Sequence, residues 1–179
     1  MEPNAILLFT DWTILRMFPP LRYVWAWRGQ QADVPITGEN AKRVLFGTIN
    51  LRTGHRILLR TKRVRQEDFQ AFLRELRRRY RDRPIWLLLD QAGCHVAAKS
   101  RALAARLNIQ LVWLPKQSPQ LNGMDHLWKE VKRNVSANRQ YRTIDEHAQQ
   151  AEEWIYRLSP RQALRKAGIL SEHFWLRHL

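Results

Sequence analysis

Acidic residues are scarce in this chain, 16 against 31 Lys and Arg, so an acid in an apolar setting stands out. Asp11 closes the run Ala5-Ile-Leu-Leu-Phe-Thr-Asp11, and Asp90 closes Ile85-Trp-Leu-Leu-Leu-Asp90. Short apolar runs of this kind predict buried strands. If the two strands are parallel neighbours, their carboxylates meet at the carboxyl edge of the sheet, where open α/β sheets bind ligands. Two bare carboxylates that close repel each other, and one tends to keep a proton. A hard divalent cation removes the conflict, and Mg2+ suits one or two carboxylates plus a substrate phosphate. The competing reading is that each Asp caps a turn or the helix after it.

A third acid, Asp125, lies in the first turn of a helical pattern whose apolar stripe is Met124, Leu127, Trp128, Val131 and Val135. Helical periodicity puts Asp125, Lys129, Lys132 and Ser136 on one flank of that stripe. Asp125 can then point over the sheet edge, with lysines near it to meet a phosphate backbone. Alternatively it is a helix-start acid, favoured by the helix dipole and paired at i, i+4 with Lys129.

The elements that must position these acids follow from the pattern of the chain. Strands are expected at Ala5 to Asp11, Tyr23 to Trp27, Val44 to Leu51 and His55 to Arg60, with a Thr53-Gly54 turn between the last two. Phe69, Phe72, Leu73, Leu76 and Tyr80 mark one face of an amphipathic helix whose other face is rich in Arg. Ile85 to Asp90 reads as a central strand, Val96 to Leu107 as a short helix and Ile109 to Leu114 as a further strand. Three helices close the chain. The second opens on the capping-box pattern Thr143-Ile-Asp-Glu146, and the third runs from Ser159-Pro160 to Gly168. This order predicts an α/β fold, a mixed sheet in which an early antiparallel meander joins parallel crossover units.

Length and charge narrow the function. The 179 residues suit one α/β domain, with a core over about 5–138 and C-terminal helices over about 143–179. A net charge of +15 attracts polyanions through phosphate contacts. Arg60, Lys62, Arg63 and Arg65, with Lys129 and Lys132, are the candidates for tracking DNA; their other reading is a solvated edge. The lone Cys94 excludes an internal disulfide and a Cys-rich metal site. No apolar run suggests a membrane span or signal peptide, so a cytoplasmic location is expected. Trp12, Trp25, Trp27, Trp113, Trp128, Trp154 and Trp175 are expected mostly in the core, although an exposed Trp near Asp11 could stack on an unpaired base.

Asp90 and Asp125 are separated by 34 residues, and the second is preceded by Leu114-Pro115-Lys-Gln-Ser118-Pro119-Gln-Leu121-Asn122 and followed by Leu127-Trp128. This block resembles a signature of the mariner superfamily of DDE transposases and their bacterial insertion-sequence relatives. Asp90-Gln-Ala-Gly-Cys-His95 is similar to that family's block at the second acid. Trp25-Ala-Trp27-Arg-Gly29, Leu45-Phe46-Gly47 and Thr53-Gly54 also match. The family's usual Asn and Pro are replaced here by Gln91 and Gly123. Asp125 stands where bacterial relatives commonly have Glu, and Trp12 where many have an acid.

The resemblance implies an RNase H-like fold, a mixed five-stranded sheet flanked by helices. It also implies Mg2+- or Mn2+-dependent cleavage and strand transfer of DNA, with two ions held by Asp11, Asp90 and Asp125. His95 could touch substrate or the metal shell, or simply fix a loop. Two other functions are open: a transposase-derived DNA-binding protein without catalysis, and a general RNase H-like nuclease. Relatives usually carry helix-turn-helix modules ahead of the core, whereas in this chain the first expected strand begins at Ala5. Recognition of transposon ends is therefore expected from another polypeptide or segment, homodimerisation is expected for joining two ends, and a bacterial, nucleoid-associated setting follows.

Overall fold

The computed structural model describes residues 4–30 and 33–176. Five strands form one sheet: β1 (Ile6–Arg16), β2 (Lys42–Asn50), β3 (Arg56–Thr61), β4 (Ile85–Leu89) and β5 (Ile109–Trp113), in the order β3-β2-β1-β4-β5. The first three pair antiparallel, and β4 and β5 add parallel to β1. This is the expected meander joined to crossover units. Among the described residues no helix is long and apolar enough to cross a membrane.

Both faces of the sheet are covered, which is why its central strands are nearly continuous apolar runs. Alternation along each strand sends Ile6, Leu8, Val44, Phe46, Ile85 and Leu87 to one face. There they meet α1 (Gln66–Arg79), whose stripe of Phe69, Phe72, Leu73 and Leu76 is completely buried. The short turn α2 (Gly93–Val96) and α3 (Ala98–Arg106) complete this layer. Leu7, Phe9, Leu45, Ile49 and Leu88 face the other way. They pack on α4 (Gly123–Val131), α5 (Ile144–Arg157) and α6 (Pro160–Lys166). Thr143 and Ser159 cap the last two helices through their hydroxyls. Arg56, 7% exposed, donates to the carbonyls of Ile155 and Leu158 and so holds the end of α5 against the sheet.

Three expectations need correction. Tyr23 to Trp27 is not a strand. The segment between β1 and β2 leaves the sheet after Met17 and passes Pro19-Pro20, and Tyr23 and Trp25 are fully exposed, with no strand beside them among the described residues. Nor do the tryptophans lie mostly in the core: Trp25, Trp27, Trp113 and Trp175 are exposed, and of the seven only Trp128 is buried. Lastly, β1 does not stop at Asp11. It continues to Arg16 because β2 supplies partners as far as Arg16↔Lys42, while pairing with β4 ends at Phe9↔Leu88. Asp11 therefore lies mid-strand with respect to β2 but just past the edge that β1 shares with β4.

Candidate active site

The offset between the two edges of β1 opens the cleft in which the acids sit. Continuing the parallel register past Phe9↔Leu88 sets Asp11 abreast of Asp90, which directly follows β4. On the other side of β1, Asp11 pairs with Gly47. Directly opposed residues of an antiparallel pair share a face, so Gly47 leaves that face open beside Asp11. Helix α4 fills the room: a Cβ on Gly47 would stand 2.6 Å from Met124 Cε and 2.7 Å from Trp128 Cζ2. The missing side chain lets α4 lie close enough to bring Asp125 over Asp11.

The start of α4 is tied directly to β1. Asn122, 3% exposed, accepts from Met124 N as the helix cap, and its Nδ2 donates to Thr10 O at 2.9 Å. Gly123 also has little room for a side chain, since a Cβ there would stand 3.0 Å from Phe9 Cδ2 and 3.1 Å from Ala167 O. Gln91 Nε2 donates to Leu114 O at 3.3 Å, linking the ends of β4 and β5. The loop that follows carries Gln117 in the left-handed region, at φ 55°. A non-glycine residue held there is strained, and such strain persists where the surroundings over-determine it.

Asp11, Asp90 and Asp125 line one cavity of about 180 Å3, closed by Leu114, Pro115, Gln117, Ser118, Pro119 and Asn122. Their surroundings differ. Burial is the main reason the Asp11 carboxyl is pushed up to about 7, and the charges of Asp90 and Asp125 add to it, against a backbone hydrogen bond at Trp12. Asp90 is held below the usual carboxylate range, chiefly by its hydrogen bond with His95. His95 Nδ1 lies 2.7 Å from Asp90 Oδ1. Burial works against a charged imidazole, but the bond to Asp90 and the adjacent Cys94 thiol outweigh it and push His95 up to about 9. Asp125 Oδ2 is buried and ion-paired with Lys129 Nζ at 2.7 Å.

Among the described residues no group of three or more His, Cys, Asp or Glu side chains forms a ready-made metal cluster. Asp90 is turned onto His95 and Asp125 onto Lys129. The donor set nevertheless fits a hard divalent cation: three carboxylates share a wall, and one is raised by burial and further by the charges of the other two.

The remaining sequence candidates are scattered. Lys62, Arg63 and Arg65 are exposed between β3 and α1, and Lys132 is exposed after α4. Arg60 is committed within the fold, its guanidinium 2.6 Å from Glu152 Oε2 and 3.8 Å from Asp145 Oδ1. Ser136 does not share the flank of Asp125. The turn Lys132–Ser136 is π-helical, which breaks the 100° periodicity, and Ser136 is buried with its Oγ 2.8 Å from His147 Nε2. His95 meets the Asp90 carboxylate directly, and its place in the block after Asp90 was the available signal. The roles of Gly47 and Asn122 lay inside the matched blocks, but their packing could not be read from them.

The DDE superfamily endonuclease family model matches residues 6–147. A Sinorhizobium fredii protein, y4pE/y4sA, is 34% identical over 103 residues, covering 57% of this chain and 74% of the relative. The insertion element IS630 39 kDa protein of Shigella sonnei is 22% identical over 156 residues, covering 86% of this chain and 46% of the relative. Among solved structures, the Mos1 transposase paired-end complex with left transposon end has a TM-score of 0.71 at 20% identity, covering 94% of this chain and 53% of that one. Mos1 paired-end complexes with Mn and with Mg are also similar. The chain thus spans about half the length of the Mos1 chain and of the IS630 protein. The structural likeness establishes the RNase H-like fold. With the family match covering most of its length, the chain belongs to the DDE superfamily of endonucleases.

Proposed function

We propose that this chain is the catalytic domain of a DNA transposase, which cuts DNA strands and joins them to new DNA. The observation that carries this reading is that Asp11, Asp90 and Asp125, distant in sequence, line one cavity at the carboxyl edge of a sheet. Asp11 and Asp90 supply oxygen ligands from adjacent parallel strands, and Asp125 supplies one from above on α4. Two Mg2+ or Mn2+ ions bound there would activate a nucleophile and offset charge on the phosphate and leaving oxygen. Water as nucleophile gives cleavage and a 3′-hydroxyl gives strand transfer, so one set of residues serves both.

Lys62, Arg63, Arg65 and Lys132 remain exposed to meet the phosphate backbone, without sequence readout. Recognition of particular transposon ends is assigned to a helix-turn-helix module, and synapsis of two ends to a homodimer. Both assignments rest on analogy with the longer relatives.

The test is nicking and joining of a DNA duplex that carries the terminal repeats of its own element, with Mg2+ or Mn2+ and any end-recognition module supplied. Cleavage that requires the metal and disappears in Asp90→Ala supports the proposal. DNA left intact under every metal condition, or cleavage unaffected by Asp90→Ala, overturns it. In crystals soaked with Mn2+, two ions about 3.5–4 Å apart between the aspartates are expected.

A further inference from the structure

We infer that His95 is a positioning residue for Asp90: it holds one carboxylate oxygen so that the other is presented to the cavity. This rests on the reading of Asp90 as a metal ligand. His95 Nδ1 is 2.7 Å from Asp90 Oδ1 and 3.3 Å from the Asp90 carbonyl oxygen. An ionised carboxylate and a carbonyl only accept, so Nδ1 carries the proton and donates. Ala92 N donates to the same Oδ1 at 3.2 Å. Both hydrogen bonds to the Asp90 carboxylate go to Oδ1, and the side chain is 53% exposed on the cavity wall. One oxygen is thus locked and the other is left to the cavity.

The imidazole cannot easily turn away. It is 1% exposed, and its ring centre lies 4.5 Å from that of Phe69, itself completely buried in α1. His95 N donates to Ala92 O at 2.9 Å, closing the one-turn helix α2 that follows Asp90. Its Nε2 is buried without a hydrogen-bond partner. Leaving a buried polar atom unsatisfied costs free energy. An aliphatic or aromatic side chain would avoid that cost if packing were the only role here. Holding a ligating carboxylate by a hydrogen-bond partner is a recognised way of raising metal affinity.

The experiment separates the donor from the ring. His95→Phe keeps an aromatic side chain against Phe69 and removes the donor. His95→Asn removes the ring but places an amide N–H near the position of Nδ1. Mn2+ is titrated into each metal-free, folded variant by calorimetry, with thermal melting recorded alongside. Mn2+ affinity is expected to fall by about 10- to 100-fold in His95→Phe. It should stay within a few-fold of the parent in His95→Asn, even though that variant melts lower. In an Asp90→Asn background, His95→Phe should cost no further affinity. If His95→Phe does not fold, the smaller His95→Leu takes its place.

Parent-like Mn2+ binding by the variants without a donor overturns the inference, as does an equal loss in His95→Asn. If the parent binds no Mn2+, or Asp90→Asn binds as the parent does, the metal-site reading itself fails.

Discussion

Asp11 and Asp90 lie side by side on parallel strands, yet their surroundings treat charge in opposite ways. Asp11 is enclosed between Gly47, α4 and two other acids, and its carboxyl is raised to about 7, mainly by burial. Asp90 is half exposed and held down by His95 and the Ala92 amide. Near neutral pH one acid is on the verge of keeping its proton while the other is firmly ionised. The raised acid is where a cation would relieve most unfavourable energy, and the pre-ionised acid is where one would first be attracted. Two aspartates that line one cavity thus differ in how readily they hold a charge, and their surroundings decide which is which.

Removing either member should break the comparison most severely. On the proposed function, Asp11→Ala and Asp90→Ala should each lower metal-dependent DNA cleavage by roughly 1,000-fold or more, since each would delete a ligand to the ions that stabilise the transition state. Single-turnover cleavage checks this, and near-parental activity in either variant would count against the site.

The next effect is on stability. The Asp11 carboxyl has an ordinary pKa of 3.8 and titrates at about 7 when folded. The folded state binds this proton more tightly than the unfolded one, so stability is lost as pH rises from about 4 through 7. By the top of that range the metal-free protein should have lost up to about 4 kcal/mol through this group. Asp11→Asn should remove that slope, giving a variant that melts higher than its parent at pH 8. Asp90 contributes in the opposite sense, adding stability above its ordinary pKa. Melting curves of both Asn variants across pH 4–8, in chelator, would show the contrast or its absence.

Smaller changes should sharpen the comparison without removing an acid. Gly47→Ala places a methyl where Met124 and Trp128 already lie. It should cost about 1–3 kcal/mol and push α4 outward, which exposes Asp11 and lowers its pKa. Asn122→Ala loses the cap of α4 and the tie to Thr10 O, at about 1–2 kcal/mol, and should loosen Asp125 more than Asp90. Chemical denaturation and metal titration measure both. The smallest effect is at the surface: Lys62→Ala or Arg63→Ala should weaken DNA binding evenly across sequences and reduce the salt slope by about 1.

Much of this was legible in the chain. The apolar runs ending near Asp11 and Asp90, the stripe of α1 and the caps of α5 and α6 all state local preferences that the packed structure keeps. The failures share a cause. Tyr23 to Trp27 has strand-like composition but no neighbouring strand among the described residues, and β-structure depends on a partner more than on intrinsic preference. β1 runs past Asp11 because β2 is there to pair with it. Ser136 turned inward because a π-helical turn shifted the phase of its helix.

The sequence by itself determined which residues are the candidates for the chemistry and in what order the strands and helices come, because residue type, spacing and periodicity are properties of the chain. Only the tertiary structure decided how each acid is charged and aimed. Burial of Asp11 depends on α4 settling over Gly47, and restraint of Asp90 depends on His95 being wedged against Phe69. Desolvation and hydrogen-bond geometry are set by residues far apart in sequence, and they exist only once the layers have packed.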